Sequence, residues 1–234
     1  MPDQPVVLIT GASRGIGRYL AEHFVARDFH VVGLSRTPAA PIATPNYTHL
    51  AANVADEGAV VAAFAAIRER FGRLDIAINN ASIHNSTRIL MTSYAEATAG
   101  FDVNVLGTFV VSREAGRLMM RRNWGRIISF SSMGVRHEPV GAAVYAASKA
   151  AVTTLMRVMA KEFFPYGITC NVIAPAAIDT EMTAEIDPTA VRDLLARNAI
   201  PTIGSREDVG NAVDWLIQPG SHAITGQVIY LGGA

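Results

Sequence analysis

The chain has 234 residues, of which 50% are hydrophobic and 17% charged, and its 20 basic residues balance its 20 acidic ones. This length and composition predict one globular domain over residues 1–234, and the balanced charge argues against a nucleic-acid or membrane partner. The single cysteine, Cys170, excludes an internal disulfide and a cysteine-based metal site.

The N-terminal residues show no basic leader, and no apolar run reaches the length of a membrane span. We therefore expect a soluble cytoplasmic protein without a bound metal.

Short apolar segments alternate along the chain with longer segments of helical periodicity. The predicted strands are Val6–Thr10, Val31–Leu34, Ile76–Asn79, Arg126–Phe130, Ile168–Ile173 and Val228–Tyr230. The predicted helices are Ile16–Arg27, Glu57–Phe71, Tyr94–Arg122, Ala146–Phe164 and Arg206–Ile217. This alternation predicts a doubly wound α/β fold, in which a parallel sheet of about seven strands is flanked by helices.

Two segments depart from the alternation. Thr37–Pro45 contains three prolines, so we expect an extended loop there instead of a crossover helix. Thr180–Thr202 is a polar, mixed segment late in the chain. We expect it to form a lid over a substrate.

A glycine-rich turn runs from Thr10 to Gly17, after the first predicted strand and at the start of the first predicted helix. Backbone N–H groups at a helix N-terminus bind pyrophosphate, and glycines allow the tight turn and the close approach of phosphates. The position predicts a dinucleotide site, with an ordinary turn as the alternative. Its predicted residues are Gly11, Ser13, Arg14, Gly15, Ile16 and Gly17.

Ser35 and Arg36 follow the second predicted strand, where an NAD site normally has an acidic residue for the ribose hydroxyls. A carboxylate would repel the 2′-phosphate of NADP, whereas the guanidinium groups of Arg36 and Arg14 can neutralise it. This predicts NADP(H) as the cofactor. The alternative is that both arginines are ordinary surface residues.

Ser132, Tyr145 and Lys149 form a second group, and the four-residue spacing places Tyr145 and Lys149 on one face of a helix. A cation beside a tyrosine stabilises the phenolate and lowers the tyrosine pKa. Tyr145 can then exchange a proton with a substrate oxygen that Ser132 holds. By spacing alone, such a pair is more often a surface contact on a helix than a site.

Further motifs accompany these residues. They are Asn79-Asn80-Ala81, Asn104 within Phe-Asp-Val-Asn-Val, and Ile173-Ala174-Pro175. Together with the Thr10–Gly17 turn and the Ser132 group, this ordered set resembles the short-chain dehydrogenase/reductase family over essentially the whole chain. The resemblance implies a single-domain Rossmann fold and an oxidoreductase that acts on CH–OH groups.

The resemblance also assigns further residues. It implies that Asn104 kinks a helix and holds a water beside Lys149, and that Lys149 binds the nicotinamide ribose. The other cofactor contacts that it implies are Asn53 and Val54 at the adenine, Asn80 and Ala81 at the adenosine ribose, and Pro175, Ile178 and Thr180 at the nicotinamide. Asn53 stands where the family usually has aspartate, and Ser82 and Ala176 stand where it usually has glycine.

Within the family, the chain looks most like 3-oxoacyl-(acyl-carrier-protein) reductases and related ketone reductases. We expect an acyl-thioester or other small-molecule substrate, with Arg121 and Arg122 as candidate contacts for an acyl carrier protein. Asn123 and Tyr166 stand where carrier-dependent members commonly have basic residues. A sugar- or steroid-type dehydrogenase and a catalytically silent NADP-binding regulator are the alternatives. The resemblance also implies a homo-oligomer, a dimer or homotetramer.

Two histidines lie close to these motifs. His84 follows the Asn79-Asn80-Ala81 loop, and His137 lies between Ser132 and Tyr145. Either side chain can border a substrate pocket or simply face solvent, and the sequence does not separate the two cases.

Overall fold

A computed structural model of the protein describes residues 4–37 and 42–233. Seven parallel strands form one sheet in the order β3-β2-β1-β4-β5-β6-β7. They are β1 (Val6–Thr10), β2 (His30–Ser35), β3 (Tyr47–Ala51), β4 (Ile76–Asn79), β5 (Gly125–Phe130), β6 (Ile168–Pro175) and β7 (Val228–Leu231). The strand order reverses between β1 and β4, which is where doubly wound sheets bind ligands.

Helices cover both faces of the sheet. They are α1 (Gly15–Val25), α2 (Glu57–Phe71), α3 (Tyr94–Phe101), α4 (Gly107–Met119), α5 (Gly134–His137), α6 (Ala143–Phe163), α7 (Glu181–Ala184), α8 (Pro188–Leu195) and α9 (Arg206–Ile217). One hydrophobic core lies between the sheet and α2, α4 and α6, and a second lies between the sheet and α1 and α9. The predicted doubly wound fold is confirmed.

Local sequence signals set the ends of several helices. The Asp56 side chain accepts a hydrogen bond from the Ala59 N–H at the start of α2, and Gly72 ends that helix at a φ of 66°. Ser205 and Asp208 form a reciprocal capping box at the start of α9. Such caps satisfy N–H groups that have no partner within the helix.

The segment predicted as one helix over Tyr94–Arg122 is not regular. Between α3 and α4 it widens into a π-helical turn over Asp102–Leu106, and after α4 it tightens into a 3₁₀ turn over Met120–Arg122. Apolar periodicity predicts the helix but does not report such a local change in the hydrogen-bonding pattern.

The connection between β2 and β3 carries no helix in its described part, residues 42–46, in agreement with the predicted loop. Pro38 and Pro41 lie outside the described residues. Tyr47 covers this edge of the sheet, and its hydroxyl lies so close to Gly33 that a Cβ at position 33 would overlap it.

The segment predicted as a lid, Thr180–Thr202, contains α7 and α8. It is attached at its far end, where the N–H groups of Ala199 and Ile200 donate to the carbonyls of Gly233 and Gly232 at 3.1 and 2.9 Å. In the part of the chain that the structure describes, none of the helices is both long enough and apolar enough to cross a bilayer.

We predict that Gly17→Ala destabilises the protein, because a Cβ on Gly17 would overlap the Gly11 carbonyl oxygen. The expected loss in the free energy of unfolding is about 1–3 kcal/mol, measured by urea denaturation. Gly58→Ala is the matched control, since Gly58 is exposed in α2 and its Cβ would meet only Asp56 at 3.4 Å. We expect Gly58→Ala to leave the free energy of unfolding unchanged or to raise it slightly. If Gly17→Ala also left it unchanged, the predicted overlap would be wrong.

Candidate active site

A cavity of about 680 Å³ opens at the carboxyl ends of the strands, where the strand order reverses between β1 and β4. The catalytic candidates Ser132, Tyr145 and Lys149 line it, whereas Asn104 does not. Every predicted cofactor residue except Gly17 lines it: Gly11, Ser13, Arg14, Gly15, Ile16, Ser35, Arg36, Asn53, Val54, Asn80, Ala81, Tyr145, Lys149, Pro175, Ile178 and Thr180. The two groups that the sequence separates by more than a hundred residues therefore share one space.

The glycine turn has the conformation that its sequence requires. Gly11 and Gly15 have φ angles of 67° and 56°, a region that favours glycine. A Cβ on Gly11 would lie 2.9 Å from the Ala81 Cα, so the turn and the loop after β4 pack directly against each other. The first turn of α1 consequently presents its N–H groups beside open space, as an anion site requires.

Asn80 holds this turn in place. Its side-chain amide donates to the carbonyls of Thr10 and Gly11 at 3.0 and 3.2 Å, and the N–H groups of Asn80 and Ala81 both donate to the Thr10 hydroxyl. The resemblance implies a cofactor contact for Asn80. Its amide N–H groups bond to the turn, so Asn80 shapes the site through the position of the glycines.

Two cations are available at the cavity, Arg36 after β2 and Arg14 in the glycine turn. Arg14 and Arg36 are exposed at the cavity, and neither forms an ion pair with any residue in 4–37 or 42–233. Ser35 is buried, and its hydroxyl donates to the Thr37 carbonyl at 2.8 Å. Asn53 accepts a hydrogen bond from the Ala55 N–H at 3.2 Å. This corner of the cavity is therefore suited to an anionic group.

Tyr145 lies in the first turn of α6 and faces Ser132. Burial raises the pKa of Tyr145, and its hydrogen bond to Ser132 acts in the opposite direction. Ser132 is itself oriented by the Gly134 N–H, which donates to its hydroxyl at 3.0 Å. The Lys149 Nζ lies 5.8 Å from the centre of the Tyr145 ring. The two hydroxyls and the amine form one group that can hold and protonate an oxygen.

Lys149 is only 4% exposed, and its Nζ donates to the Phe130 carbonyl at 2.9 Å. Burial lowers the pKa of Lys149 to about 8. A cation there is therefore costly, and the amine is poised to change its protonation state close to neutral pH.

Asn104 lies in the π-helical turn, buried behind the cavity. Its side-chain oxygen accepts from the Ile83 N–H at 2.9 Å, and its amide donates to the Ile83 carbonyl and the Ser148 hydroxyl at 3.0 and 2.9 Å. Its backbone carbonyl accepts from the Thr108 hydroxyl at 2.8 Å. Asn104 thus ties the loop after β4 to α6.

The residues that follow β6 form the remaining wall. Ile178 forms an isolated parallel bridge with Gly204, and Thr180 caps α7 by accepting from the Thr183 N–H at 3.4 Å. Ser82 and Ala176, which stand where the family usually has glycine, both line the cavity without a positive φ. Their side chains therefore narrow the cavity without backbone strain.

The two candidate histidines have different surroundings. The His84 ring packs edge-on against the Tyr145 ring, with 4.5 Å between the ring centres and 81° between the planes. His137 hydrogen-bonds through Nε2 to the Asn198 side chain at 2.7 Å. His84 thus packs against the catalytic candidate Tyr145, whereas His137 connects α5 to the end of the Thr180–Thr202 segment.

Other cavity residues were not predicted. They are Leu34, Thr37, Ala52, Ile83, Val103, Phe130 and Ser131. Glu181, Met182 and Thr183 also line the cavity and lie in the segment predicted as a lid, and Ser82 and Ala176 line it at the two positions noted for the absence of glycine. Most are sequence neighbours of predicted residues, and that proximity is the signal that could have found them. Among the described residues, no group of three or more histidine, cysteine, aspartate or glutamate side chains could hold a metal ion.

Comparisons with known proteins agree with this geometry. A family model described as short chain dehydrogenase matches residues 5–190. The chain is 32% identical to the 3-oxoacyl-[acyl-carrier-protein] reductase FabG of Escherichia coli (strain K12), over 97% of this chain and 96% of that protein. It is 34% identical to the short-chain reductase protein NovJ of Streptomyces niveus, over 98% of this chain and 93% of that protein.

Two solved structures are similar over nearly their whole length. One, ElxO with NADP bound, has a TM-score of 0.89 and 28% identity, covering 98% of this chain and 97% of that one. The other, 4-hydroxyisoleucine dehydrogenase complexed with NADH, has a TM-score of 0.92 and 27% identity, covering 98% of each chain. The fold therefore occurs with either nicotinamide dinucleotide.

We predict that Lys149→Met is more stable than the wild type at pH 7, and that this advantage shrinks as the pH rises. The folded pKa of Lys149, about 8, lies below the ordinary value of 10.5, so the unfolded chain binds the proton more tightly. Burial of Lys149 therefore opposes folding fully below pH 8, and this penalty is lost between pH 8 and 10.5. Urea unfolding of both proteins at pH 7, 8.5 and 9.5 measures the difference. If the difference in the free energy of unfolding between the two proteins did not change with pH, the prediction would be wrong.

Proposed function

Since the chain belongs to the short-chain dehydrogenase/reductase family and is an oxidoreductase acting on CH–OH groups, we propose that it uses NADP(H) to interconvert a carbonyl and a secondary alcohol. Tyr145 is the proton-transfer residue. The observation that carries the proposal is that Ser132, Tyr145 and Lys149 line the same cavity as the glycine turn.

The residues of the cavity fit a dinucleotide. The turn needs glycine at position 11 to pack on Ala81, and it presents the N-terminus of α1 to the diphosphate. Tyr145 and Lys149 line the same cavity and are the residues beside which the nicotinamide and its ribose would lie. When bound, the cofactor supplies or accepts the hydride.

The protein performs the proton chemistry. In the reductive direction, the Ser132 hydroxyl donates to the carbonyl oxygen of the substrate, and Tyr145 transfers its proton to that oxygen as the alcohol forms. Burial raises the pKa of Tyr145, so a protonated Lys149 close by is needed to stabilise the phenolate that is left. Asn104 is a positioning residue, since it bonds to Ser148 on the same helix.

We predict that Tyr145→Phe lowers kcat by at least roughly a hundredfold, because phenylalanine keeps the ring but has no proton to transfer. NADPH binding, measured by fluorescence titration, is expected to be nearly unchanged. The assay is NADPH oxidation in a screen of 3-ketoacyl thioesters, quinones, keto sugars and simple ketones. Undiminished turnover by the variant would refute the role of Tyr145. If the wild type bound NADPH but reduced no carbonyl, and oxidised no alcohol with NADP, the result would instead favour a catalytically silent regulator.

NADP(H) is proposed over NAD(H) because of two cations at the cavity, Arg36 after β2 and Arg14 in the glycine turn. The solved structures similar to this chain include one with NADP and one with NADH, so the choice depends on this chain's own residues. Arg36 and Arg14 are exposed at the cavity, and Ser35 replaces an acidic residue. A 2′-phosphate would gain charge-assisted hydrogen bonds there.

We predict that Arg36→Asp lowers the ratio of kcat/KM for NADPH to kcat/KM for NADH by at least roughly tenfold, because the carboxylate repels the 2′-phosphate and can bind ribose hydroxyls. Arg70→Asp, an equal charge change at an exposed position near the end of α2, is the control and should leave the ratio unchanged. If the two variants gave the same ratio, Arg36 would be an ordinary surface residue.

The proposed substrate is a 3-ketoacyl thioester or a related ketone, supported by the similarity to the FabG reductase. Arg121 and Arg122 are exposed at the end of the 3₁₀ turn after α4, near Asn123, and form a basic end that an acidic carrier protein could contact. A sugar- or steroid-type dehydrogenase is the second candidate, and the substrate screen separates the two.

We further propose a homo-oligomer formed through α4 and α6. Large apolar side chains stay exposed on the α3–α4 segment and on or beside α6, as at surfaces that another chain covers. They include Phe101, Leu106, Phe109, Val158 and Phe164, each between 38% and 53% exposed.

A further inference from the structure

His84 is placed where it can contact a substrate. It lies on the loop after β4, directly after Ser82 and Ile83, which line the cavity. Its ring centre is 4.5 Å from that of Tyr145. A group held by His84 would therefore be only a few bonds from the carbonyl carbon of a substrate whose oxygen is held by Tyr145.

The hydrogen-bonding groups of His84 are unused. No residue within 4–37 or 42–233 forms a hydrogen bond or an ion pair with its imidazole. The imidazole nitrogens are not among the fully buried polar atoms that lack a hydrogen-bond partner. His137, by comparison, uses Nε2 to bond Asn198. A half-buried imidazole without a protein partner, packed against the catalytic tyrosine and next in sequence to the cavity residue Ile83, is available to a ligand.

The charges around His84 restrict the kind of ligand. Burial is the main cause that lowers the pKa of His84, and the charge of Lys149 on α6 acts in the same direction, against the opposing effect of Glu185. The imidazole is therefore neutral at neutral pH and offers one N–H donor. Glu185, on the segment that follows α7, adds a negative charge that disfavours an anionic group at this position.

We propose that His84 is a specificity-determining residue, which donates a hydrogen bond to a second, uncharged carbonyl oxygen in the substrate, close to the one that is reduced. The substrate class is thus an ester, thioester or amide of a 3-keto acid, in preference to a simple ketone or a free 3-keto carboxylate. This inference rests on the proposed reductase activity and narrows its substrate.

The test compares three substrates with NADPH: an acetoacetyl thioester, free acetoacetate and an unbranched methyl ketone matched in length to the thioester. For the wild type, we expect kcat/KM to be highest with the thioester. His84→Phe keeps a flat ring against Tyr145 but removes the donor. It should lower kcat/KM for the thioester by roughly ten- to a hundredfold, because a buried acceptor is left unpaired, and change that for the methyl ketone less than about threefold.

Two more variants complete the design. His84→Gln keeps an N–H donor and should recover part of the thioester activity, and His84→Ala repeats the selective loss if the phenylalanine variant folds poorly. An equal loss on thioester and methyl ketone, or no loss on either, would show that His84 only packs against Tyr145 and would overturn the inference. A wild type that reduced only the methyl ketone would also overturn it, while leaving the proposed reductase activity intact. Absence of all carbonyl turnover would instead reject that activity, and this inference with it.

Discussion

The clamp between the ends of β1 and β4 is the interaction on which the rest of the site depends. The Asn80 amide and the Thr10 hydroxyl join the loop after β4 to the glycine turn through four hydrogen bonds. They fix the distance between the ends of β1 and β4, which are neighbours in the sheet although β2 and β3 lie between them in the sequence. The turn can then present α1 to a phosphate, and the same loop continues directly to Ile83 and His84, beside Tyr145.

A second set of hydrogen bonds, made by Asn104, lies beneath the catalytic residues. Asn104 bonds to Ile83 on one side and to Ser148 on the other, so the loop after β4 and α6 share one buried amide. The π-helical turn brings Asn104 into this position, and extra turns of this kind are frequent at functional sites. The position of Tyr145 relative to the glycine turn is thus set by two asparagines, each bonded to backbone groups.

The sequence was sufficient to predict the doubly wound fold and to bring the glycine turn together with Ser132, Tyr145 and Lys149. The prediction of the fold depends on local patterns, namely periodicity and a turn after a strand. The catalytic group was joined to the turn by the ordered set of motifs and the family that this set resembles, because a four-residue spacing alone does not distinguish a site from a surface contact. The α6 helix begins at Ala143, three residues before the predicted start. Periodicity did not predict the interruption between α3 and α4, which only the resemblance implied through Asn104, because the interruption depends on a side chain that bonds to distant backbone. His84 and His137 looked equivalent for the same reason, since only packing distinguishes a ring beside Tyr145 from one bonded to Asn198.

The edge of the sheet formed by β2 and β3 is covered in a different way. Where β2 and β3 are joined by a short proline-containing connection, the Tyr47 ring packs with the α1 and α9 core, and its hydroxyl fills the space above Gly33. One aromatic side chain does the covering that a helix does elsewhere in the fold. Positions 33 and 47 are consequently coupled, because a residue larger than glycine at position 33 requires a smaller residue than tyrosine at position 47.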